Sequence, residues 1–358
     1  MKAMINGATG LVGTATVKEF LSAGYEVRAS DRPGANFSEL KKLGVEIMPA
    51  ELDDLETLAA TVRGVDAVVH VAGVFDFAAT PELLERVNHQ GTRNICEAVL
   101  KHNPNLSRFV QVATVGVYGK PVNCPCRESD PKNPRNEYEK SKQRGEAAAF
   151  DYHQKHGLPV TSIRPTLVYG PGARYGHSML IALFSLLRSK GIRTLPAFRH
   201  GPSTSHVHVD DVARAALVVA RSDRAIGCPF NLAAPDPVPG PVFTRTIAEG
   251  VGLKVAEVVP GFTPLMAAFK LFVKVCPGWF GRKFNQRIEQ NWDKLREQRG
   301  LSPDLRLRLD QDWLGYIIGD SVYDVSALKN IGMEWKWPDF ETGIKQTIEW
   351  YHDKEWIP

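Results

Sequence analysis

Tyr138 and Lys142 stand four residues apart in Tyr138-Glu-Lys-Ser-Lys142. On a helix that spacing places both side chains on one face, so an ammonium can lie beside a phenol. Its positive charge would lower the phenol pKa from about 10 toward neutrality, which makes a usable proton donor or acceptor. Alone, Tyr-x-x-x-Lys is common, and a solvated surface pair is its ordinary reading. A second candidate is Thr114, in Phe109-Val-Gln-Val-Ala-Thr-Val-Gly-Val-Tyr-Gly119, whose hydroxyl could hold a substrate oxygen. An ordinary β-branched strand residue explains Thr114 as well. The third is Asn6-Gly-Ala-Thr-Gly-Leu-Val-Gly13, directly behind the apolar run Ala3-Met-Ile5.

In that third stretch Gly7 allows a tight turn, Gly10 lets backbone approach a pyrophosphate, and Gly13 lets the next helix pack close. The helix N-terminus then offers free N–H groups and a partial positive charge to phosphate. An acidic residue, Asp31, ends the next strand about twenty residues on, which favours a dinucleotide site over a structural turn. Asp31 would accept hydrogen bonds from ribose hydroxyls and oppose a 2′-phosphate, so NAD is the expected cofactor. Arg32 could instead pair with such a phosphate, which keeps NADP open.

Positioning these groups takes a particular succession of elements. Strand-like runs are Ala3–Ile5, Glu26–Ala29, Val45–Met48, Ala67–Val71, Phe109–Val112 and Val160–Ile163. Helical stretches fall between them at Gly10–Ala23, Leu55–Val62, Pro81–His102 and Asn136–His156. Strand and helix alternating with short turns signals a parallel sheet covered on both faces. The expected fold class is α/β, a Rossmann-type doubly wound parallel sheet with a smaller C-terminal substrate-binding lobe. Residues 1–170 form the expected NAD(P)-binding domain, with 204–222 returning to it. Residues 171–358, where proline-rich loops such as Ala234–Pro241 break the rhythm, form mainly the substrate-binding lobe.

The totals bound the function. A chain of 358 residues, 43% hydrophobic and 23% charged, is an ordinary globular composition. A net charge of +4 gives no case for nucleic acid as the main partner. Five cysteines do not suggest a disulfide framework. Cys124-Pro-Cys126 lacks the second pair of a zinc site, and His206-Val-His208 lacks a third ligand, so no metal is expected. With no leader sequence and no run of the ~18 apolar residues a membrane span requires, the expected location is cytoplasmic. The apolar stretch within 262–280 could add peripheral contact with a membrane surface, or serve as a lid or a subunit contact. The basic residues after it, Lys283, Arg287, Lys294, Arg296 and Arg299 among them, read by default as a solvated helix face.

Taken together, these motifs resemble the extended short-chain dehydrogenase/reductases over nearly the whole chain. Gly7-Ala-Thr-Gly-Leu-Val-Gly13 resembles the cofactor turn of that family, and Val69-His-Val-Ala-Gly73 the segment along the cofactor. Asn88-His-Gln-Gly-Thr92 resembles its asparagine-containing helix. Arg164-Pro-Thr-Leu-Val-Tyr-Gly-Pro171 and His208-Val-Asp-Asp211 resemble two later stretches. The resemblance implies catalysis by Thr114, Tyr138 and Lys142. For the cofactor it implies Gly7, Thr9, Gly10, Leu11, Val12, Gly13, Asp31, Arg32, Glu51, Leu52, Val71, Ala72, Gly73, Asn88, Val112, Tyr138, Lys142, Pro165 and Val168. Two departures stand out: Glu51 occupies the place of an adenine-binding aspartate, and Asn6 that of a threonine. A homodimer through the helices at 81–102 and 136–156 is also implied.

Members of this family include dehydrogenases, reductases, epimerases and dehydratases, so the fold does not choose the substrate. Leu167 stands where sugar-nucleotide members carry an asparagine, and Arg164-Pro with Val168-Tyr-Gly-Pro resembles the 3β-hydroxysteroid dehydrogenase type. Phe262, Phe269, Phe272, Trp279 and Phe280 offer a bulky apolar lining, although such residues serve a core as readily. The expected reaction is hydride transfer between nicotinamide and a hydrophobic secondary alcohol or ketone. A nucleotide-sugar epimerase or dehydratase that retains NAD is the alternative.

Overall fold

A computed structural model describes residues 1–76, 79–258, 283–308 and 319–358. The expected apolar lining at Phe262, Phe269, Phe272, Trp279 and Phe280 therefore lies outside the described residues, as does the whole 262–280 stretch. The chain divides into two compact units. The first comprises Met1–Thr166, Val209–Ala233 and Tyr323–Lys336, and the second Leu167–His208, Ala234–Val322 and Trp337–Pro358.

The first unit is built on seven parallel strands. In chain order these are β1 (Lys2–Asn6), β2 (Glu26–Ser30), β3 (Glu46–Ile47), β4 (Ala67–His70), β5 (Arg108–Val112), β6 (Val160–Pro165) and β11 (Pro229–Leu232). They lie side by side as β11-β6-β5-β4-β1-β2-β3. The order runs outward in both directions from the β1/β4 pair, and such a switch point puts a ligand crevice at the carboxyl ends of those strands. All four residues of β4 and the last four of β1 are buried, as expected where helices cover both sheet faces.

Helices α1 (Leu11–Ser22), α2 (Ser38–Lys42), α3 (Leu55–Val62), α4 (Pro81–Leu84), α5 (Gly91–His102), α6 (Glu137–His156) and α8 (Val209–Arg221) connect the strands. Met4, Val68, Ile95, Phe109, Ala149 and Val160 form the core under α3, α5 and α6. The start of α6 is fixed by the Asn136 side chain, which accepts from the Glu139 N–H, and its end by Gly157 in the left-handed region (φ 73°).

The long helix expected over 81–102 exists, but it carries a π-helical segment at Glu85–Gln90 between α4 and α5. The strand expected at 45–48 shrinks to two residues. The segment expected to return at 204–222 instead returns at Val209–Ala233, because β11 is needed to cover the free edge of β6. Residues 323–336 return as well.

The second unit holds β7 (Leu167–Tyr169), β8 (Thr194–Phe198), β9 (Ser203–Thr204), β10 (His206–His208), β12 (Val238–Pro239) and β13 (Lys254–Val258). These make three two-stranded sheets: β7 with β10, β8 with β13, and β9 with β12. Helices α7 (His177–Ser189) and α9 (Gly240–Gly250), with Asn285–Arg299 and Phe340–Asp353, enclose a core that includes Trp292, Phe243, Phe340 and Tyr351. Trp292 is wholly buried and its indole N–H donates to the Leu305 carbonyl at 2.8 Å, so its burial leaves no polar group unsatisfied.

Candidate active site

The glycine turn sits at the carboxyl end of β1. Gly7 has φ 83°, and a Cβ there would lie 2.5 Å from the Ala72 nitrogen, so no other residue fits. A Cβ on Gly13 would collide with the Gly7 carbonyl, which fixes how closely α1 approaches the turn. Gly10 differs. It is exposed, and a Cβ there would meet nothing nearer than the Gly7 oxygen at 3.4 Å. Gly10 is also the N-cap of α1, with no side-chain cap bond and no acidic residue in the first turn. Open space over uncapped N–H groups at a helix start suits a pyrophosphate, and Leu11, Val12 and Gly13 supply that first turn.

Thr9 and Asp31 are joined. One carboxylate oxygen of Asp31 accepts from both the Thr9 N–H (3.0 Å) and its hydroxyl (2.7 Å), and the other accepts from the Arg32 N–H at 2.8 Å. The carboxylate is thus anchored at the end of β2, beside the turn, with Arg32 exposed next to it. The Ala50 N–H donates to the Asp31 carbonyl at 2.9 Å, which brings Glu51 and Leu52 to the same edge. Glu51 is exposed, while the Leu52 side chain packs against Gly91 and its carbonyl accepts from Asn94.

Beyond β4, the N–H groups of Val71 and Ala72 both donate to the Asn6 carbonyl (2.9 and 3.0 Å). Asn88, in the π-helical segment, clamps Val74: its Oδ1 accepts from the Val74 N–H at 2.8 Å and its Nδ2 donates to the Val74 carbonyl at 3.1 Å. The same Nδ2 reaches Ser141 on α6 at 3.0 Å. A Cβ on Gly73 would lie 3.1 Å from Asn88 Oδ1 and 3.4 Å from Lys142 Nζ, so these three residues converge.

Tyr138, Lys142 and Thr114 all belong to the first unit. Thr114 caps a single 3₁₀ turn, Val115–Tyr118, by accepting from the Gly116 N–H at 3.1 Å. Its side chain also lies close enough to the Tyr138 phenol to favour the ionised form. The Lys142 ammonium donates to the Val112 carbonyl at 2.6 Å. Burial lowers the Lys142 pKa to about 8, against a raising influence from Glu146. The expectation of an acidic phenol fails in this state. Burial pushes Tyr138 above its ordinary value, with Glu139 raising it further and the Thr114 side chain opposing.

Pro165 closes β6 in the same unit, paired with Leu232. Val168 lies on β7, which belongs to the second unit.

Three features were not singled out from the sequence. Glu146, one turn beyond Lys142 on α6, is fully buried and accepts from Arg164 Nε and Nη2 (2.8 and 2.9 Å), Ser162 (2.7 Å) and Lys132 (2.8 Å). Burial alone would raise its pKa, but the Arg164 guanidinium prevails and holds it below the usual carboxylate value. His70 donates from Nδ1 to Asn6 Oδ1 (2.8 Å), and its Nε2 lies 3.2 Å from the Thr92 hydroxyl. Phe75 sits edge-on to the Tyr138 ring, centroids 5.0 Å apart. Only the i, i+4, i+8 spacing of Tyr138, Lys142 and Glu146 was visible in advance.

A model of the NAD dependent epimerase/dehydratase family matches residues 3–233. The chain belongs to that family. Its members work with NAD, and the uncapped turn and anchored Asp31 fit such a cofactor. The chain is 25% identical over 376 residues to dTDP-glucose 4,6-dehydratase of Streptomyces niveus, a match covering 100% of this chain and 95% of that protein. It is 27% identical over 272 residues to 4-hydroxy-2-methyl-3-oxo-4-farnesyl-3,4-dihydroquinoline-1-oxide ketoreductase of Stigmatella aurantiaca, covering 75% of this chain and 78% of that protein. Against two other curated relatives it spans little more than half their length, 53% and 56%. Among solved structures, UDP-glucose 4-epimerase of Thermotoga maritima with UDP-glucose matches with a TM-score of 0.72 at 19% identity, covering 99% of each chain. That likeness concerns the fold. Among the described residues, no cluster suits a metal ion and no helix is long and apolar enough to cross a membrane.

Proposed function

We propose that this family member is an oxidoreductase that interconverts a hydrophobic secondary alcohol and its ketone, with a 3β-hydroxysteroid as the leading substrate type. The observation that carries the reading is that Thr114 lies against the Tyr138 phenol while Lys142, one turn along the same helix, is anchored on the Val112 carbonyl and converges with Asn88 on Gly73.

NAD, when bound, supplies the two-electron acceptor or donor at its nicotinamide C4. The chain's own residues do the rest. Thr114 orients the substrate oxygen by a hydrogen bond. In the reducing direction Tyr138, held protonated by burial, donates its phenolic proton to that oxygen as the carbonyl carbon gains hydride. In the oxidising direction the phenolate takes the alcohol proton. Lys142, anchored on the Val112 carbonyl, places a positive charge near the developing phenolate and so favours proton release.

Support for an apolar substrate comes from Leu167 in place of a polar asparagine, and from the ketoreductase relative. The dehydratase relative, matched over the whole chain, favours a second reading: a nucleotide-sugar enzyme that retains NAD and shows no net redox change. The two separate in one assay. Purified protein with NAD and a panel of steroid and acyl alcohols is followed at the reduced-nicotinamide absorbance band, alongside sugar nucleotides followed by product analysis. Absorbance gain on an apolar alcohol, abolished in Tyr138→Phe with NAD binding retained, is expected. Turnover of sugar nucleotides alone would overturn the substrate reading.

A further inference from the structure

Phe75 is 39% exposed and lies beside the half-buried Tyr138. It is also rigidly delivered. The backbone before it is pinned twice, by Asn6 accepting from Val71 and Ala72 and by Asn88 clamping both the N–H and the carbonyl of Val74. That clamp holds the backbone from which the Phe75 side chain leaves. The ring meets Tyr138 at an interplanar angle of 74° with centroids 5.0 Å apart, an edge-to-face contact. One side of the phenol is thereby walled by an apolar surface that can neither donate nor accept a hydrogen bond in plane.

From this placement we infer that Phe75 is a specificity-determining residue, selecting a flat or aliphatic carbon framework next to the reacting oxygen over a hydroxyl-bearing one. The inference rests on the proposed reading of Tyr138 as the proton donor. A substrate hydroxyl pressed against the ring loses its water partners and gains none, whereas an aromatic or alicyclic ketone loses nothing polar. An apolar wall of this sort discriminates against an added hydroxyl by up to about a hundredfold. The backbone before Phe75 is held by Asn6 and Asn88 rather than by Tyr138, so altering the ring removes its edge-to-face contact with the phenol and leaves that backbone in place.

The test uses the full chain with NADH, acetonaphthone as the apolar ketone and erythrulose as the hydroxylated one. Wild type is expected to prefer acetonaphthone. Phe75→Thr is expected to shrink the ratio of kcat/KM values roughly tenfold or more, while Phe75→Leu retains most of it and Kd for NADH stays unchanged in both. A ratio unmoved in Phe75→Thr overturns the inference. Absence of wild-type turnover on every apolar ketone instead overturns the underlying reading of the site, so the two failures are distinct. A binding measurement on wild type guards against a variant that does not fold. Isopropylnaphthalene, which cannot react, is expected to raise the melting temperature of the NADH-loaded protein. No rise overturns the inference whatever the variants do.

Discussion

The bond between Thr9 and Asp31 ties together two parts of the cofactor site that the sequence offered separately. One carboxylate oxygen has both of its lone pairs occupied by Thr9, so the other oxygen is what remains to meet a ribose hydroxyl. Thr9→Val removes the hydroxyl donor and leaves the carboxylate held by the Thr9 and Arg32 N–H groups alone. A hydrogen bond to a charged group is worth about 1.5–3 kcal/mol, so NAD binding should weaken about tenfold, with less effect on NADP. Parallel cofactor titrations of wild type and variant check this. Tyr138 carries a second prediction. Because burial raises its pKa, the phenol is a donor at neutral pH, suited to reduction, whereas oxidation needs the proton removed. Alcohol oxidation should therefore climb between about pH 7 and 9 while ketone reduction does not. Initial rates in both directions across that range settle the sign.

Helix α6 shows how one element organises the chemistry. Tyr138, Lys142 and Glu146 follow one another at four-residue intervals, and the last is neutralised by Arg164 from β6. Removing one partner of a buried pair strands the other charge, at a cost of about 3–5 kcal/mol. Glu146→Gln and Arg164→Met should each lower stability by about that much, and the double variant should lose less than the sum, as measured by urea unfolding. Much of the site's framework could be read beforehand: the boundaries of α6 and α3, the glycine turn, and the placing of Tyr138 and Lys142 one turn apart on α6 all follow from periodicity, capping residues and spacing. The acidity of the phenol could not be read. It depends on how deeply tertiary packing buries the ring, and helical spacing is silent on burial. The π-helical segment was equally hidden, since its extra residue per turn serves Asn88, whose partners Val74 and Ser141 are far away in sequence.

Across the whole molecule, buried histidines set an acid limit. Burial lowers the pKa of His70 in the first unit, with Lys142 adding to the effect, and of His177 in the second; both fall to about 3. An unfolded chain takes up a proton on each near 6.5, whereas the folded chain refuses it until about 3, so stability must fall as pH drops through that window. Unfolding midpoints measured at descending pH should show the decline, and His177→Phe should flatten it. The strand succession up to β6 was legible because each buried strand is a short apolar run. Its seventh member, Pro229–Leu232, was not, since a four-residue strand after a long excursion looks like loop. That excursion bears on how the protein is made. A nascent chain leaving the ribosome finishes β6 and must then emit Leu167–His208 before Pro229–Leu232 emerges to pair with it. Throughout that interval β6 presents a bare row of amides and carbonyls to any passing strand. A premature stop after Thr166 would thus yield six of the seven strands with one sticky edge rather than a smaller dinucleotide binder.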